Sequence, residues 1–338
     1  MSAPRACILG CSGPELTASE RDFFRDADPW GFILFARNLR DPDQLRRLTG
    51  ALRDALGRAA PILIDQEGGR VQRLGPPHWT AWPPVRALCA AGLAEDALRE
   101  ALFLRYRLIA AELDAVGIDV NCVPAVDLAR PETHPMLADR LLGEDPATVA
   151  ARGRVIAEAT RAGGVLPVVK HVPGHGRSDR DSHLTLPVVA TDLDTLRATD
   201  FAAFAALADL PLAMTAHVLY PALDAERCAT LSPAVIAEIR ERIGFSGLLM
   251  SDDIGMGALR GPVAARGRAA LAAGCDVVLH CAGDRAGMEA LAAELPPLAG
   301  VALARARAAE AARQPAAPFD AAAARARLAA ITGERLHA

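Results

Sequence analysis

Short apolar segments alternate with longer amphipathic segments along almost the entire chain. The apolar segments are rich in Val, Ile and Leu and have the lengths of buried strands. We predict strands at 6–10, 31–35, 61–65, 118–126, 166–169, 212–216, 247–251 and 276–280. Helical patterns lie between them at 14–27, 42–58, 93–116, 146–163, 192–208, 232–243 and 262–273, with a further helix from about 285.

Capping signals support these helix boundaries. Asp41-Pro42, Asp145-Pro146 and Ser232-Pro233 each put a short polar side chain before a proline in the first helical turn. Glycines at 117, 244 and 274 stand where helices should end before the next strand. Eight strand–helix units favour a parallel sheet, and eight is the number that closes a (β/α)8 TIM barrel.

A single α/β domain spanning 1–338 is the predicted organisation. No Pro/Ser-rich linker or abrupt change of composition divides the chain. An open doubly wound sheet is the alternative architecture, but no Gly-x-Gly-x-x-Gly motif follows the first strand to favour it. The Ala/Arg-rich segment from about 303 to 338 predicts a C-terminal helical tail that packs on the outside of the barrel or frays.

Composition narrows the class of protein. The 338-residue chain has a formal net charge of −4, which provides no electrostatic footprint for nucleic acid or anionic lipid. No apolar run approaches the roughly 20 residues that span a bilayer. Residues 8–11 resemble a lipoprotein cleavage site, but too few apolar residues precede them for a signal peptide. Seven cysteines without a Cys-x-x-Cys pair indicate reduced thiols. We therefore expect a soluble cytoplasmic monomer without nucleic-acid or membrane partners.

Ionisable residues follow five consecutive predicted strands, at the end of the barrel where such folds build their active sites. They are Asp65 after the third strand, Asp127 after the fourth, Lys170 and His171 after the fifth, His217 after the sixth, and Asp252 with Asp253 after the seventh. One charged residue at a strand end can be a helix cap, but five such strands indicate a polar cavity.

Ionisable side chains are most concentrated in residues 165–187. There a loop that contains glycine and proline follows a buried strand and carries His175, Asp181 and His183. A solvated loop with incidental histidines is the simpler interpretation, but core packing does not explain this concentration. Lys and Arg paired with carboxylates, without a cofactor motif, suit a polyhydroxylated ligand.

Glycoside hydrolysis is one chemistry that fits these residues, and it usually needs two carboxyl groups beside the scissile bond. Asp252, at the end of a buried strand, can supply the nucleophile. Asp181-Ser182-His183 offers a histidine as the acid, with a carboxylate that orients the ring and stabilises its protonated form. An imidazole titrates near neutral pH without the burial that a carboxylic acid needs.

Four motifs in matching order resemble the β-N-acetylhexosaminidases of glycoside hydrolase family 3, in particular its single-domain bacterial members. They are Asp65-Gln66-Glu67-Gly68-Gly69-Arg70-Val71-Gln72-Arg73, Lys170-His171-Val172-Pro173-Gly174-His175-Gly176, Asp181-Ser182-His183 and Ser251-Asp252-Asp253. The resemblance implies a TIM barrel that removes β-linked N-acetylglucosamine from peptidoglycan fragments during cell-wall recycling in the cytoplasm. It also implies a retaining, two-step mechanism through a covalent glycosyl-aspartate, with no cofactor.

The same resemblance assigns roles to individual residues. Asp252 would be the nucleophile, His183 the general acid/base and Asp181 its orienting partner. The N-acetylglucosamine would be bound by Asp65, Arg73, Arg140, Lys170 and His171. Val172 and Ile254-Gly255-Met256 depart from the family pattern, and these changes concern fine specificity rather than the reaction.

Neighbouring polar and glycine residues have structural interpretations. Asp253 faces away from Asp252 on the strand and is expected to cap the following turn. Gly68-Gly69 predicts a tight turn. His175 is interpreted as a residue that holds its loop by hydrogen bonds. The loop at about 172–182 is expected to be mobile without ligand, since no apolar residue pins its centre to the core.

Other functions remain open at this stage. A metal-dependent hydrolase on the same barrel would use the histidines as ligands together with Asp252; these are His171, His175, His183 and His217. His217 is otherwise a wall of the pocket or a hydrogen-bonded histidine at the barrel end. A sugar-binding module without catalysis is a third class. The sequence leaves open how the aglycone is recognised and whether N-acetylgalactosamine is tolerated.

Overall fold

Eight parallel strands form a closed barrel, as described for residues 3–333 of a computed structural model. The strands are β1 (Arg5–Leu9), β2 (Pro29–Leu34), β3 (Ile62–Ile64), β4 (Val120–Asn121), β5 (Leu166–Val172), β6 (Leu212–Thr215), β7 (Leu248–Asp253) and β8 (Val277–His280). Each strand pairs with the next, and β8 pairs with β1 through Cys7 and Val278. The predicted TIM barrel and its eight strands are confirmed.

Helices surround the barrel and follow the strands along the chain. They are α1 (Ala18–Ala27), α2 (Pro42–Leu56), α3 (Val85–Cys89), α4 (Glu95–Asp114), α5 (Pro135–Ala138), α6 (Pro146–Ala162), α7 (Leu193–Ala198), α8 (Asp200–Ala205), α9 (Pro233–Ala237), α10 (Val263–Ala273), α11 (Arg285–Glu294), α12 (Gly300–Ala311) and α13 (Ala321–Thr332). Short helical turns add Ala36–Asn38, Ala229–Leu231 and Glu238–Arg242. Within residues 3–333 no helix combines the length and the apolar character that crossing a membrane requires.

The predicted caps form as expected. The side chains of Asp41, Asp145 and Ser232 each accept a hydrogen bond from a backbone N–H in the first turn of α2, α6 and α9. Gly117, Gly244 and Gly274 follow helical segments with positive φ angles of 77°, 81° and 114°, which glycine adopts without a steric penalty. Local chemistry therefore fixes where these helices begin and end.

Two predicted elements differ in extent. The helix predicted at 192–208 is divided into α7 and α8 at Thr199, whose ψ of −87° interrupts the helical path. The fourth strand is shorter than 118–126 because Pro124 has no N–H to donate to a ladder. β4 pairs with both β3 and β5, and beyond it the chain keeps an isolated bridge to β5, where the Val126 N–H donates to the carbonyl of Lys170 at 2.9 Å.

The C-terminal tail contributes to the barrel as well as to its exterior. Ala306 and Ala309 of α12 pack with the apolar side chains that fill the barrel interior. Arg305 of the same helix pairs with Asp276, just before β8, at 3.0 Å. α12 therefore covers the amino-terminal end of the barrel. The predicted packing of the tail on the outside of the barrel did not include this contact. α13 packs on α4 outside the barrel as predicted, and residues 334–338 of the predicted tail lie outside the described part of the chain.

Candidate active site

A polar cavity of about 270 Å³ opens at the carboxyl ends of the strands. Its lining includes seven of the eight residues predicted for the site, namely Asp65, Arg73, Arg140, Lys170, His171, His183 and Asp252. The eighth, Asp181, hydrogen-bonds to His183 at the cavity mouth. Residues from β3, β5, β7 and two long loops are thus brought together, as the strand-end pattern predicted.

Buried ions of opposite charge form one wall of the cavity. Lys170 Nζ lies 2.8 Å from Asp65 Oδ1 and 2.7 Å from Glu67 Oε1. Arg140 binds Glu67 in a bidentate manner, with both N···O distances at 2.8 Å. Arg73 Nη2 lies 3.3 Å from the second oxygen of Asp65. This arrangement holds three cationic donors around two carboxylates with little exposure to water.

These charges control the ionisation of the carboxylates. Burial alone would raise the pKa of Glu67, but Arg140 and Lys170 outweigh it and lower that pKa to about 2. The same competition leaves the pKa of Asp65 well below its usual range. Glu67 is not among the residues to which the sequence assigns a role in the site. Its position in the Asp-Gln-Glu motif was the available sequence signal for such a role. Its ion pairs with Arg140 and Lys170 indicate that this role is to hold other side chains.

A tight turn brings Arg73 back beside Asp65. Gly68 and Gly69 have φ angles of 99° and 60°, and a Cβ on Gly69 would lie 2.9 Å from Pro84 Cγ. The Gln66 side chain then accepts the Arg73 N–H at 2.9 Å. The predicted glycine turn is confirmed, and its consequence is a compact loop that presents both Asp65 and Arg73 to the cavity.

Asp252 and Asp253 lie at the end of β7 in different environments. Asp252 Oδ1 accepts the Asp253 N–H at 2.8 Å, and its second oxygen has no hydrogen-bond partner within residues 3–333. Burial raises the pKa of Asp252. Neighbouring groups lower that pKa by more, so the net shift is downward; these are His217, His171, the Asp253 N–H and Lys170. Asp253 Oδ1 accepts the Gly255 N–H at 2.9 Å, which confirms its predicted role as a turn cap.

His217 supports the backbone of this strand end. Its Nε2 lies 3.0 Å from the carbonyl oxygen of Asp253 and must donate, which leaves Nδ1 to accept from Thr230 at 2.8 Å. Thr230 Oγ1 lies 2.7 Å from Thr215 Oγ1, which is 3.4 Å from the Asp252 N–H. Of the two interpretations of His217, the hydrogen-bonded histidine at the barrel end therefore agrees with the structure.

Asp127 is a buried anchor that sequence reasoning placed at the rim without assigning it a role. Its Oδ2 lies 2.8 Å from His171 Nδ1, and its Oδ1 accepts the backbone N–H of His175 at 2.6 Å. Burial raises the pKa of Asp127, but the His171 charge and hydrogen bond lower it to about 2. Because Nδ1 of His171 is occupied, Nε2 is the nitrogen that remains for a ligand.

The loop that carries His183 crosses the segment following β7. His183 Nδ1 lies 2.8 Å from Asp181 Oδ1, which also accepts the His183 N–H at 2.9 Å. Gly257 donates its N–H to the His183 carbonyl at 2.9 Å, and a Cβ on Gly257 would approach that oxygen to 2.7 Å. The predicted histidine–carboxylate pair thus forms, and a glycine allows the loop to approach.

The histidines do not assemble into a metal centre. Among residues 3–333 there is no group of three or more His, Cys, Asp or Glu side chains arranged to hold a metal ion. Of the four histidines in the proposed ligand set, His217 has both ring nitrogens in hydrogen bonds, to Thr230 and to the Asp253 carbonyl, and His175 Nε2 is bonded to Ser182. This geometry gives no support to the metal-dependent alternative.

Comparison with known proteins agrees with this site. The glycosyl hydrolase family 3 N-terminal domain matches residues 15–312. The beta-hexosaminidase of Xylella fastidiosa (strain M12) is 38% identical over 279 residues, which cover 81% of this chain and 82% of the relative. The beta-hexosaminidase of Xanthomonas campestris pv. campestris (strain B100) is 39% identical over 280 residues, covering 81% and 83%.

Solved structures extend the similarity to the whole fold. Native NagZ from Neisseria gonorrhoeae is 29% identical and superimposes with a TM-score of 0.86, covering 98% of each chain. The same protein in complex with N-trifluoroacetyl-D-glucosamine gives a TM-score of 0.86 at 29% identity, covering 98% of this chain and 99% of that one. The resemblance noted in the four motifs therefore holds along the full barrel.

Proposed function

The chain belongs to glycosyl hydrolase family 3, and from this premise we propose that it is a retaining β-N-acetylhexosaminidase acting on peptidoglycan fragments. The substrate would be N-acetylglucosaminyl-anhydro-N-acetylmuramic acid and its peptides. The observation that carries the proposal is one cavity lined by an ionised carboxylate, Asp252, an imidazole, His183, and a buried set of charged donors and acceptors.

The buried wall is suited to one sugar ring. Lys170, Arg73 and Arg140 supply N–H donors, and Asp65 supplies a carboxylate acceptor, so hydroxyl and acetamide groups can be bound by charge-assisted hydrogen bonds. His171 adds its free Nε2. A substrate that lacks one of these polar groups would leave a buried partner unpaired, which costs far more than a lost methyl contact. The structure of the gonococcal relative with an N-trifluoroacetyl glucosamine supports an amino sugar as the ligand.

The proposed reaction uses two displacements at the anomeric carbon. Asp252 attacks this carbon while the His183 imidazolium donates its proton to the departing glycosidic oxygen, and a glycosyl ester forms. Neutral His183 then removes a proton from water, which attacks the same carbon and releases Asp252. Two inversions give net retention. Asp181, 2.8 Å from Nδ1, orients the ring and stabilises its protonated form.

The setting we propose is a reducing cytoplasm, with the protein acting as a monomer in cell-wall recycling. The seven cysteines are free thiols in the structure, which supports a compartment that keeps them reduced. Cell fractionation and light scattering of the purified protein test these two points. Recovery with the membranes, or a dimer as the active species, would contradict them.

The decisive experiment combines turnover with trapping. The protein should hydrolyse an aryl β-N-acetylglucosaminide at the same rate with and without a chelator, and it should release N-acetylglucosamine from purified disaccharide fragments. A fluorinated sugar that stalls the covalent intermediate should label Asp252, and Asp252→Asn should abolish both labelling and turnover. Labelling of Asp253 or Glu67 would reject the assigned nucleophile, and loss of turnover with chelator would favour the metal-dependent alternative.

A further inference from the structure

The proposed acid/base pair lies on a loop whose functional side chains reach solvent. The side chain of His183 is 62% exposed and that of Asp181 is 26% exposed. Between them, Ser182 is almost completely buried. The Ala258 N–H donates to the Ser182 carbonyl at 3.1 Å and fixes the backbone from one side. The hydroxyl of Ser182 points to the barrel. Its hydrogen-bond partner there therefore determines the position of Asp181 and His183.

That partner is His175. Its Nε2 lies 3.0 Å from Ser182 Oγ, and both side chains are buried. His175 is itself fixed by its backbone N–H, which donates to Asp127 Oδ1 at 2.6 Å. Its ring also packs edge-to-face against that of His171, with the ring centroids 5.5 Å apart. The histidine is therefore held at the base of the loop, and its ring contacts the loop at the Ser182 hydroxyl.

The protonation state of His175 permits one hydrogen bond to the Ser182 hydroxyl. Burial lowers the pKa of His175 to about 4, so the ring is neutral near pH 7 and carries a single N–H. Nδ1 is buried and has no hydrogen-bond partner within residues 3–333. Nε2 can therefore donate to the Ser182 oxygen or accept the Ser182 O–H, according to the tautomer. Either tautomer keeps one hydrogen bond between the ring and the Ser182 hydroxyl.

We propose that His175 is a positioning residue that seats the acid/base loop through Ser182, with Asp127 as the common anchor of the loop and the sugar site. This inference rests on the proposed function, because it concerns the placement of the proposed acid. One oxygen of Asp127 holds the ring of His171 and the other holds the backbone of His175. Breaking the contact between His175 and Ser182 therefore displaces the acid while the sugar-binding imidazole stays in place.

The test uses two serines of the same loop. Ser182→Ala removes the hydroxyl that contacts His175, without a change of charge. Ser178→Ala is the matched control, because the Ser178 hydroxyl is also buried but has no hydrogen-bond partner in the described part of the chain. For each variant, kcat/KM is measured with aryl β-N-acetylglucosaminides whose leaving groups span a wide range of pKa. A leaving group that departs readily without a proton does not need a well-placed acid.

Ser182→Ala should lose about 10-fold or more in kcat/KM with poor leaving groups, because small misplacements of a catalytic group are costly, and little with a dinitrophenolate. Ser178→Ala should match the wild type across the series. His175→Phe keeps a ring without N–H donors, so it should reproduce the leaving-group dependence of Ser182→Ala. Combining the two changes should add nothing, since both break one contact.

Two results would overturn the proposal. One is an equal loss for every leaving group in Ser182→Ala, and the other is the same dependence in Ser178→Ala, because both indicate a general effect on the fold. If His175→Phe does not fold, the two serine variants decide alone. Failure of the wild type to hydrolyse any of the aryl substrates would instead reject the proposed function, so the two failures are distinguishable.

Discussion

Glu67→Gln is the substitution that tests the buried charge cluster most directly. The two oxygens of Glu67 accept both hydrogen bonds of the Arg140 guanidinium, and one of them also contacts Lys170. Glutamine has the same shape, but its NH2 group would place a donor against a donor. Lys170 keeps Asp65 as a partner, whereas Arg140 has no other ion pair within residues 3–333. The cost therefore arises mainly from a buried guanidinium without an anion.

The magnitude follows from the depth of this pair. Removing one partner of a buried ion pair costs about 3–5 kcal/mol, whereas an exposed pair is worth about 0–1 kcal/mol. The pKa of Glu67 is lowered to about 2 because Arg140 and Lys170 stabilise its ionised form, which is the direction expected for a carboxylate that these cations hold. Urea unfolding at pH 7 measures the difference. Glu289→Gln is the control, because Glu289 pairs with Arg285 at 2.6 Å on an exposed helix face.

Acid titration gives a second measurement of the same quantity. The folded pKa of Glu67 is below its unfolded value, so the folded state binds fewer protons and the stabilisation is complete above about pH 4.5. It is lost as the pH falls from 4.5 towards 2. The wild type should therefore lose stability over this window, and Glu67→Gln should lose less. Equal unfolding free energies for Glu67→Gln and Glu289→Gln, or parallel acid profiles for wild type and Glu67→Gln, would refute the reasoning.

Three further predictions address the proposed chemistry. His183→Ala should slow glycosylation severely with sugar leaving groups and much less with activated aryl groups, with Asp181→Asn showing a milder version; uniform losses across leaving groups would remove His183 as the acid. Gly257→Ala should lower kcat/KM by about 10–100-fold, because its Cβ would press on the His183 carbonyl from 2.7 Å, while Gly13→Ala, with nothing within 4 Å, should be neutral in the same assay. N-acetylglucosaminides should be strongly preferred to plain glucosides, and comparable kcat/KM values would contradict the assigned sugar pocket.

Periodicity and caps predicted the barrel because its strands are local apolar runs and its helices carry local signals. The position of α12 could not be predicted in the same way. Its Ala-rich sequence has no apolar stripe, and it covers the barrel end because small side chains such as Ala306 and Ala309 fit there. Hydrogen bonds with distant segments complete the placement, among them one from the Trp30 indole N–H to Glu310 at 2.6 Å. Such contacts depend on tertiary packing, which a local pattern does not contain.

The candidate site also contains residues that local sequence predicts and residues that only tertiary packing places. Asp65, Lys170 and His171 lie at strand ends, so the topology of the barrel was enough to bring them together. The residues that hold them pair across different loops. Asp127 fixes His171 from β5, and His175 contacts Ser182 seven positions further along a loop with no regular structure. A polar residue at a strand end is visible in the sequence, but its partner is determined only by the fold.

Hydrogen bonding also distinguishes the rim carboxylates from one another. Both oxygens of Asp65, Glu67 and Asp127 are engaged by cationic or N–H donors, so these groups hold other side chains. Asp253 is held by the N–H groups of Gly255 and Cys281. Asp252 lines the cavity with one oxygen fixed and the other without a partner in residues 3–333. A nucleophile needs this combination, because the fixed oxygen orients the carboxylate and the second oxygen must be available to form a bond.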